Sequence, residues 1–185
     1  MKKKFTIISN LALLIIIMLF CLYNNHCSLL NFAVYNNLKI FSRILLFMGT
    51  NANIRDNQGI TPIMIAVVDD NIELADSLIR HGANVDLQEN KKKWSSLHFA
   101  VWNGDYIMVK HIIIQSHNIN IKNKNGMTPL MLATLKGGDQ NTLSLLILYG
   151  ANINDRDNEG RTALDWAVFK KNVICINYLK SKGAI

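Results

Sequence analysis

Hydrophobic residues recur along this chain in paired segments that short polar loops separate. In each pair the second segment, such as residues 72–80, places apolar residues three and four positions apart, the spacing of one face of a helix. A threonine or serine precedes most of the first segments, where its side chain can cap a helix, and Pro62 and Pro129 occupy the first helical position, where no N–H is needed. The pattern therefore predicts pairs of short helices joined by tight turns.

The pairs repeat at a nearly constant interval. One alanine per pair follows the previous one at 33 or 34 residues, and a glycine-type position comes 16 or 17 residues after each alanine. These positions are Ala33, Ala66, Ala100, Ala133 and Ala167, and Gly49, Gly82, Ser116, Gly150 and Gly183. Such a period is typical of a stacked array in which each unit buries its apolar face against its neighbours. We expect this architecture to present an extended binding surface and not a catalytic pocket.

Two motifs mark the beginning and the end of a unit. The opening motif reads Thr61-Pro62-Ile63-Met64-Ile65-Ala66 and Thr128-Pro129-Leu130-Met131-Leu132-Ala133, and the closing motif reads Gly82-Ala83-Asn84-Val85-Asp86 and Gly150-Ala151-Asn152-Ile153-Asn154. The chain closely resembles the ankyrin repeat family, whose unit opens with Thr-Pro-Leu-His-x-Ala and closes with Gly-Ala-Asp-Val-Asn. The resemblance covers about 158 of 185 residues. It implies an all-α, ankyrin-type helix-turn-helix solenoid with short β-hairpin-like loops, preceded by one hydrophobic N-terminal helix.

The motifs divide residues 24–185 into five repeats, at approximately 25–54, 58–88, 92–122, 125–155 and 159–185. The first repeat is degenerate, and we interpret it as a terminal capping repeat. The loop before the third repeat lacks the usual glycine and carries one extra residue, since it reads Glu89-Asn90-Lys91-Lys92-Lys93-Trp94. This departure predicts a distorted loop tip.

The N-terminus has a different character. A basic region at residues 1–4 precedes a nearly charge-free run at residues 5–23, which is long enough to span a bilayer as a helix. Residues 11–22 also match the hydrophobic core of a secretory signal, but no convincing pair of small residues follows as a cleavage site. We therefore predict an uncleaved, single-pass signal anchor with its N-terminus in the cytoplasm. The alternatives are a cleaved signal on a secreted protein with a structural or host-directed effector role, and a buried helix.

The charge of the chain argues against a nucleic-acid partner. The net charge is +7, but Lys2, Lys3 and Lys4 carry three of these charges, which leaves +4 on the repeats. The remaining acidic and basic residues are mixed along the chain, whereas a nucleic-acid binder concentrates lysine and arginine on one face. We expect no nucleic-acid partner.

No group of residues predicts catalysis, a metal site or a cofactor site. His98 occupies the histidine position of the opening motif, where the resemblance implies a hydrogen bond to loop backbone. His81, His111 and His117 share no i, i+4 spacing with a residue that would complete a zinc site. The sequence therefore predicts a protein that is not an enzyme and holds no cofactor or metal.

The resemblance also points to a binding surface. In that family the second residue after the motif alanine projects from the first helix onto the concave face. Here these positions, which we name the apolar stripe, are Tyr35, Val68, Trp102, Leu135 and Phe169. Exposed apolar patches mark interaction sites, and aromatic residues are enriched among binding hot spots. The alternative is that neighbouring first helices bury these side chains against one another.

Basic residues at the loop tips supply a predicted border to this stripe. The residues of this basic rim are Arg55, Lys122 and Arg156 at one repeat position, with Lys124, Arg161, Lys91, Lys92, Lys93 and Trp94 close by. Basic residues beside an aromatic residue favour an acidic or phosphorylated segment of an unknown partner protein. For the lysine run, an ordinary solvated loop is the alternative.

Overall fold

The computed structural model describes residues 29–185, so the basic region 1–4 and the predicted anchor at residues 5–23 lie outside the described residues. The described part contains ten α-helices and no strand. In chain order these are α1 Leu29–Tyr35, α2 Lys39–Phe47, α3 Pro62–Val68, α4 Ile72–Arg80, α5 Ser96–Asn103, α6 Tyr106–Gln115, α7 Pro129–Lys136, α8 Gln140–Leu148, α9 Ala163–Phe169 and α10 Val173–Ser181. Within residues 29–185, none of these helices has the length and hydropathy needed to cross a bilayer.

The helices form five consecutive pairs that stack side by side. Each odd-numbered helix packs against its partner in the same pair and against the odd-numbered helices of neighbouring pairs. The even-numbered helices from α2 to α8 form a second layer in the same way. The core lies between the layers and includes the apolar residue of the opening motif in the first four pairs. These residues, Leu30, Ile63, Leu97 and Leu130, are at most 1% exposed. The predicted all-α solenoid is confirmed.

The first pair folds although its motif is degenerate. Its second helix, α2, leaves Ile40 and Phe47 more than 70% exposed, and the residue after the helix, Met48, is equally exposed. Terminal repeats of a solenoid usually present a polar outer face. The surface of α2 is apolar, and the interpretation of this pair as a capping repeat stays a prediction.

Side-chain hydrogen bonds join the loop after one pair to the closing turn of the next. Asn53 donates from Nδ2 to the carbonyl oxygen of Gly82 (2.8 Å), and its Oδ1 accepts from the N–H of Asn84 (2.6 Å). Asn120 and Asn154 bond in the same way to the turns that follow them. A position that recurs once per repeat thus fixes the spacing between repeats.

The third closing turn has serine in place of glycine, and the joining residue changes with it. Ser116 has a φ of −76°, not the positive φ of the glycines, so its backbone does not present the same groups. Asp86 replaces the asparagine and accepts two hydrogen bonds, from Ser116 Oγ (2.6 Å) and from the N–H of His117 (2.8 Å). The carboxylate of Asp86, which can only accept hydrogen bonds, therefore matches a turn that offers two donors.

Candidate protein-interaction surface

Most of the apolar stripe lies on the surface of the described structure. Four of its side chains are exposed and one is half-buried, because Leu135 packs against the core. The exposed fractions are 68% for Tyr35, 50% for Val68, 41% for Trp102 and 71% for Phe169. Neighbouring helices therefore do not bury these four side chains, and they are accessible to a ligand.

A cleft of about 460 Å³ opens beside the stripe between α5 and α7. Its apolar lining comes from Trp94, Trp102, Met127, Leu132 and Leu135, and its polar lining comes from Lys91, Lys92, Asn123, Lys124 and Asn125. We call this space the tryptophan cleft. It brings part of the predicted stripe and part of the predicted rim into one site.

Trp94 is not an exposed rim residue, as the sequence suggested, but a buried support for this cleft. Only 8% of its surface is exposed. Its ring packs edge-on against Phe99 with centroids 5.2 Å apart and lies 5.5 Å from the ring of Trp102. These contacts restrict the orientation of Trp102, so the exposed indole is held in place before any ligand binds.

Three loop tips are closed by one short side chain each. Asp56 accepts hydrogen bonds at Oδ1 from the N–H groups of Gln58 and Ile60, both at 2.8 Å. Asn123 and Asp157 make the corresponding pairs of bonds in their own tips. Each side chain replaces backbone partners that a tight turn cannot provide.

The tip at residues 89–94, which we call the lysine tip, is one residue longer and uses a longer side chain. Glu89 is buried, and its carboxylate accepts from the N–H groups of Lys91 (2.7 Å), Lys92 (2.7 Å) and Trp94 (3.0 Å). Burial opposes ionisation of this carboxyl, but the three N–H donors and the charge of Lys92 outweigh it and lower the pKa of Glu89. Glu89 therefore closes this tip with its carboxylate, as shorter side chains close the other three, and the expected distortion of the longer tip stays a prediction.

Lys93 adopts the backbone conformation of the missing glycine. Its φ is 58°, and the equivalent Gly59, Gly126 and Gly160 have φ values of 78°, 75° and 80°. A side chain in this left-handed region is strained by contact between Cβ and the backbone. The lysine tip thus keeps a left-handed residue at the glycine position at a cost in conformational energy.

Four residues of the predicted rim are held by the protein itself, which sequence reasoning missed. Arg55 donates to the carbonyl oxygen of Gln88 (2.5 Å), Lys122 to that of Arg156 (2.8 Å), and Arg156 to that of Gly160 (2.7 Å). Arg161 is paired with Asp157 at 2.9 Å. The rim prediction needs correction here, because these groups stabilise loops before they can contact a partner.

Gln88 belongs to the same series. It occupies the repeat position of Arg55, Lys122 and Arg156, and its Nε2 donates to the carbonyl oxygen of Lys122 (2.9 Å). Four successive residues at one repeat position therefore donate to loop carbonyl oxygens. The shared position was visible in the sequence, but the acceptors were not, because they belong to other repeats in three of the four cases.

The lysines around the tryptophan cleft are in a different situation. Lys91, Lys92 and Lys124 line the cleft, and Lys92 Nζ lies 4.9 Å from the ring centroid of Trp94. Lys136, which the prediction omitted, places its Nζ 4.9 Å from the ring centroid of Trp102. Among the described residues that line this cleft, none carries a carboxylate. The site therefore combines an apolar floor with an excess of positive charge.

His98 has the structural role that the resemblance implied. It is fully buried, its Nδ1 accepts from the N–H of Ser95 (3.2 Å), and its Nε2 lies 3.2 Å from the carbonyl oxygen of Met127 in the next loop tip. The proton of the neutral ring must then be on Nε2, which donates to Met127. Burial lowers the pKa of His98 to about 4.

A second, smaller cleft of about 220 Å³ lies further along the stripe. Its lining is Tyr35, Gln58, Ile60, Met64, Ile65, Val68, Asp69 and Phe99. We call it the tyrosine cleft. Among these described lining residues Asp69 is the charged one, so the sign of the charge is opposite to that of the tryptophan cleft.

Metal chemistry finds no support in the described structure. Within residues 29–185, no group of three or more histidine, cysteine, aspartate or glutamate side chains is placed to hold a metal ion. The geometry of the two clefts is that of a binding surface.

Stacked helix pairs with projecting loop tips and a groove along the first helices define a helix-turn-helix repeat protein. The family model described as ankyrin repeats, in three copies, matches residues 17–113 and 97–185. The chain therefore belongs to the ankyrin repeat family.

Curated relatives come from viruses and from animals. The chain is 34% identical over 162 residues to the putative ankyrin repeat protein FPV031 of fowlpox virus, a match to 83% of this chain and 47% of the relative. It is 31% identical over 127 residues to inversin of Mus musculus, covering 66% of this chain and 12% of the relative. The putative ankyrin repeat protein L371 of Acanthamoeba polyphaga mimivirus is 27% identical over 166 residues, covering 72% and 22%. The chain thus spans less than half the length of these relatives.

Proposed function

We propose that this chain is a protein-interaction module that binds its partner along the concave apolar stripe. The observation that carries the proposal is the exposure of Tyr35, Val68, Trp102 and Phe169 at the repeat interval. Four exposed apolar side chains in a row are costly in water and favourable when a partner covers them. Binding and not catalysis is the role that this surface supports.

The partner segment that fits this surface is acidic or phosphorylated. The cleft beside Trp102 contains Lys91, Lys92 and Lys124, and Lys136 adds a fourth ammonium group next to the indole. Charges at the border of an interface guide association and select partners of opposite sign. The module therefore combines apolar anchoring at Trp102 with selection by charge.

The test compares Trp102→Ala with Ile114→Ala in the full chain. Ile114 is a matched control because it is 52% exposed but lies on α6, in the other helix layer. A pull-down should recover the partner with the wild type and with Ile114→Ala and lose it with Trp102→Ala. In a titration with that partner, Trp102→Ala should weaken binding by about 2 kcal/mol, or about thirtyfold, while circular dichroism stays unchanged. Equal binding by all three proteins would contradict the proposed surface.

We also propose that residues 5–23 tether the module to a membrane as a single-pass anchor with the N-terminus in the cytoplasm. The support is the length of this nearly charge-free run behind three lysines. The first family match begins at residue 17, so the end of the run also fits the repeat pattern. Resistance to alkaline extraction and a retained N-terminus would support the anchor. A mature chain that begins near residue 24 would favour the secreted alternative instead.

A further inference from the structure

We infer that the concave face selects an extended peptide carrying two opposite charges about six residues apart, each beside an apolar side chain. The acidic or phosphorylated residue occupies the tryptophan cleft, and the basic residue occupies the tyrosine cleft. This inference rests on the proposed function, since it uses the same stripe. It adds the length, the charge pattern and the placement of the bound segment.

The tryptophan cleft fits an anion next to an apolar group. Lys124 lines the cleft, and the ammonium of Lys92 lies over the ring of Trp94, near the Glu89 carboxylate that already accepts three backbone N–H groups. Both can therefore pair with an incoming carboxylate or phosphate without breaking a bond inside the protein. The floor of Trp102 and Leu135 lies next to them and takes an apolar or aromatic side chain of the same ligand.

The tyrosine cleft has the opposite preference. Asp69 lies beside the apolar surface of Tyr35, Val68 and Phe99. Asp69 is exposed, and the described residues that line this cleft include no basic side chain, so the charge of the cleft is negative. A lysine or arginine of the ligand is favoured here, and an acidic residue is repelled.

The spacing of the clefts sets the length of the segment. Val68 and Leu135, which line different clefts, lie two repeats apart along the stripe. Neighbouring helices pack at about 8–10 Å, so two repeats correspond to about 20 Å. An extended chain covers about 3.3–3.6 Å per residue, which gives about six residues between the two charges.

The probes are synthetic peptides of twelve residues with glycine and serine spacers. The first carries an Asp-Phe pair and, six residues away, a Lys-Leu pair. The second carries phosphotyrosine in place of Asp-Phe, and the third replaces the charged residues by Asn and Gln. Each is made in both sequence directions, labelled with fluorescein, and titrated with the full chain in detergent by anisotropy. The first or the second peptide is expected to bind more tightly than the third. If the first binds more tightly than the second, the favoured anion is a carboxylate, and in the opposite case it is a phosphate.

Charge variants locate the two contacts. The double variant Lys92→Gln, Lys124→Gln should lower the affinity for both anionic peptides about tenfold. The matched control, the double variant Lys170→Gln, Lys182→Gln, should leave this affinity unchanged. Asp69→Asn should lower the affinity for the same peptides about threefold, and its control Glu73→Gln should leave the affinity unchanged. Glu73 is a suitable control because it is paired with Arg43 on the layer of α4.

Three outcomes would overturn the inference: equal binding of charged and neutral peptides, equal losses in the lysine variants and their control, or a larger loss of anionic peptide in Asp69→Asn than in the lysine variant. Trp102→Ala separates the two proposals. If it weakens all three peptides equally while the charge variants have no effect, the concave face binds but does not select charge. If it weakens none of them, the proposed surface fails as well.

Discussion

The loop tips at residues 56–60 and 89–94 are each closed by one carboxylate, although their lengths and residues differ. Asp56 closes the first with two hydrogen bonds, and Glu89 closes the second with three. The second loop has one more residue, and the glutamate side chain has one more methylene group. Gly59 and Lys93 both have positive φ values, of 78° and 58°. The comparison shows that a loop can depart from the repeat pattern if a second change in the same loop restores its closure.

The same repeat contains a second compensated departure. Where Ser116 replaces the closing glycine, Asp86 replaces the asparagine that joins the turn. The lysine tip and the Ser116 turn belong to the third helix pair, which also supplies Trp94 and Trp102 to the tryptophan cleft. The repeat that differs most from its neighbours therefore supplies both tryptophans of the candidate site, while Glu89 and Asp86 preserve its stacking.

The comparison predicts that the longer tip depends more strongly on its carboxylate. Glu89→Ala removes the acceptor of three N–H groups in a buried position and should lower the free energy of unfolding by about 3–4 kcal/mol. Asp56→Ala removes two bonds in a half-buried position and should cost about 1–2 kcal/mol. Urea denaturation of both variants measures the difference. Equal losses would mean that the extra length of the lysine tip needs no compensation.

Acid should weaken the part of the array around the lysine tip. The pKa of His98 is lowered in the folded state from 6.5 to about 4, so its contribution to stability is complete above pH 6.5 and is lost as the pH falls toward 4. This loss amounts to about 3 kcal/mol. The lowered pKa of Glu89 adds a further loss below pH 4.5. Urea midpoints between pH 7 and pH 4 measure the effect.

Substitution of single histidines assigns the acid effect. His98→Gln should abolish most of the dependence of stability on pH between pH 6.5 and 4, because the titrating imidazole is removed. His117→Gln should retain the dependence, since its side chain is 91% exposed. If the two variants have the same pH profile, another group is responsible.

The sequence predicted the helix pairs and the position of the stripe because both follow from a period within the chain. Trp102 and Phe169 share a repeat position, and stacking places such residues in a row. The roles of Arg55 and Lys122 could not be predicted in this way, because their acceptors belong to the next repeat. Glu89 could have been recognised, since it aligns with Asp56 and Asp157. Lys136 was missed because its contact with Trp102 depends on the packing of α5 against α7.

Conversion of the lysine tip into a standard tip should separate stability from binding. Glu89→Asp and Lys93→Gly, together with removal of Lys92, make this tip read Asp-Asn-Lys-Gly-Trp. The converted tip then has the length and glycine position of the tip Asp56-Asn57-Gln58-Gly59-Ile60. The converted tip should fold as stably as the wild type, because Lys91 then takes the position that Gln58 has in its own tip. The carbonyl oxygen of Gln58 accepts from the N–H of Asn90 in the next tip (2.8 Å), and the carbonyl oxygen of Lys91 can accept in the same way. Binding of the anionic peptides should fall about tenfold, or about 1.4 kcal/mol. Retention of anion binding would show that the lysine run is an ordinary solvated loop.

The smallest expected effect comes from the left-handed position alone. Lys93→Gly should stabilise the protein by about 1 kcal/mol, because glycine adopts a positive φ without the Cβ contact that strains lysine. The reciprocal change Gly160→Lys should destabilise it by about the same amount. Gly160 suits this test because a Cβ added there meets no atom within 4 Å, so the change introduces backbone strain without a clash. Guanidinium denaturation of the two variants and the wild type measures both shifts. Since glycine also increases the freedom of the unfolded chain, both shifts should be smaller than the backbone strain alone. A loss of stability in Lys93→Gly would mean that the lysine side chain makes a stabilising contact that exceeds its backbone strain.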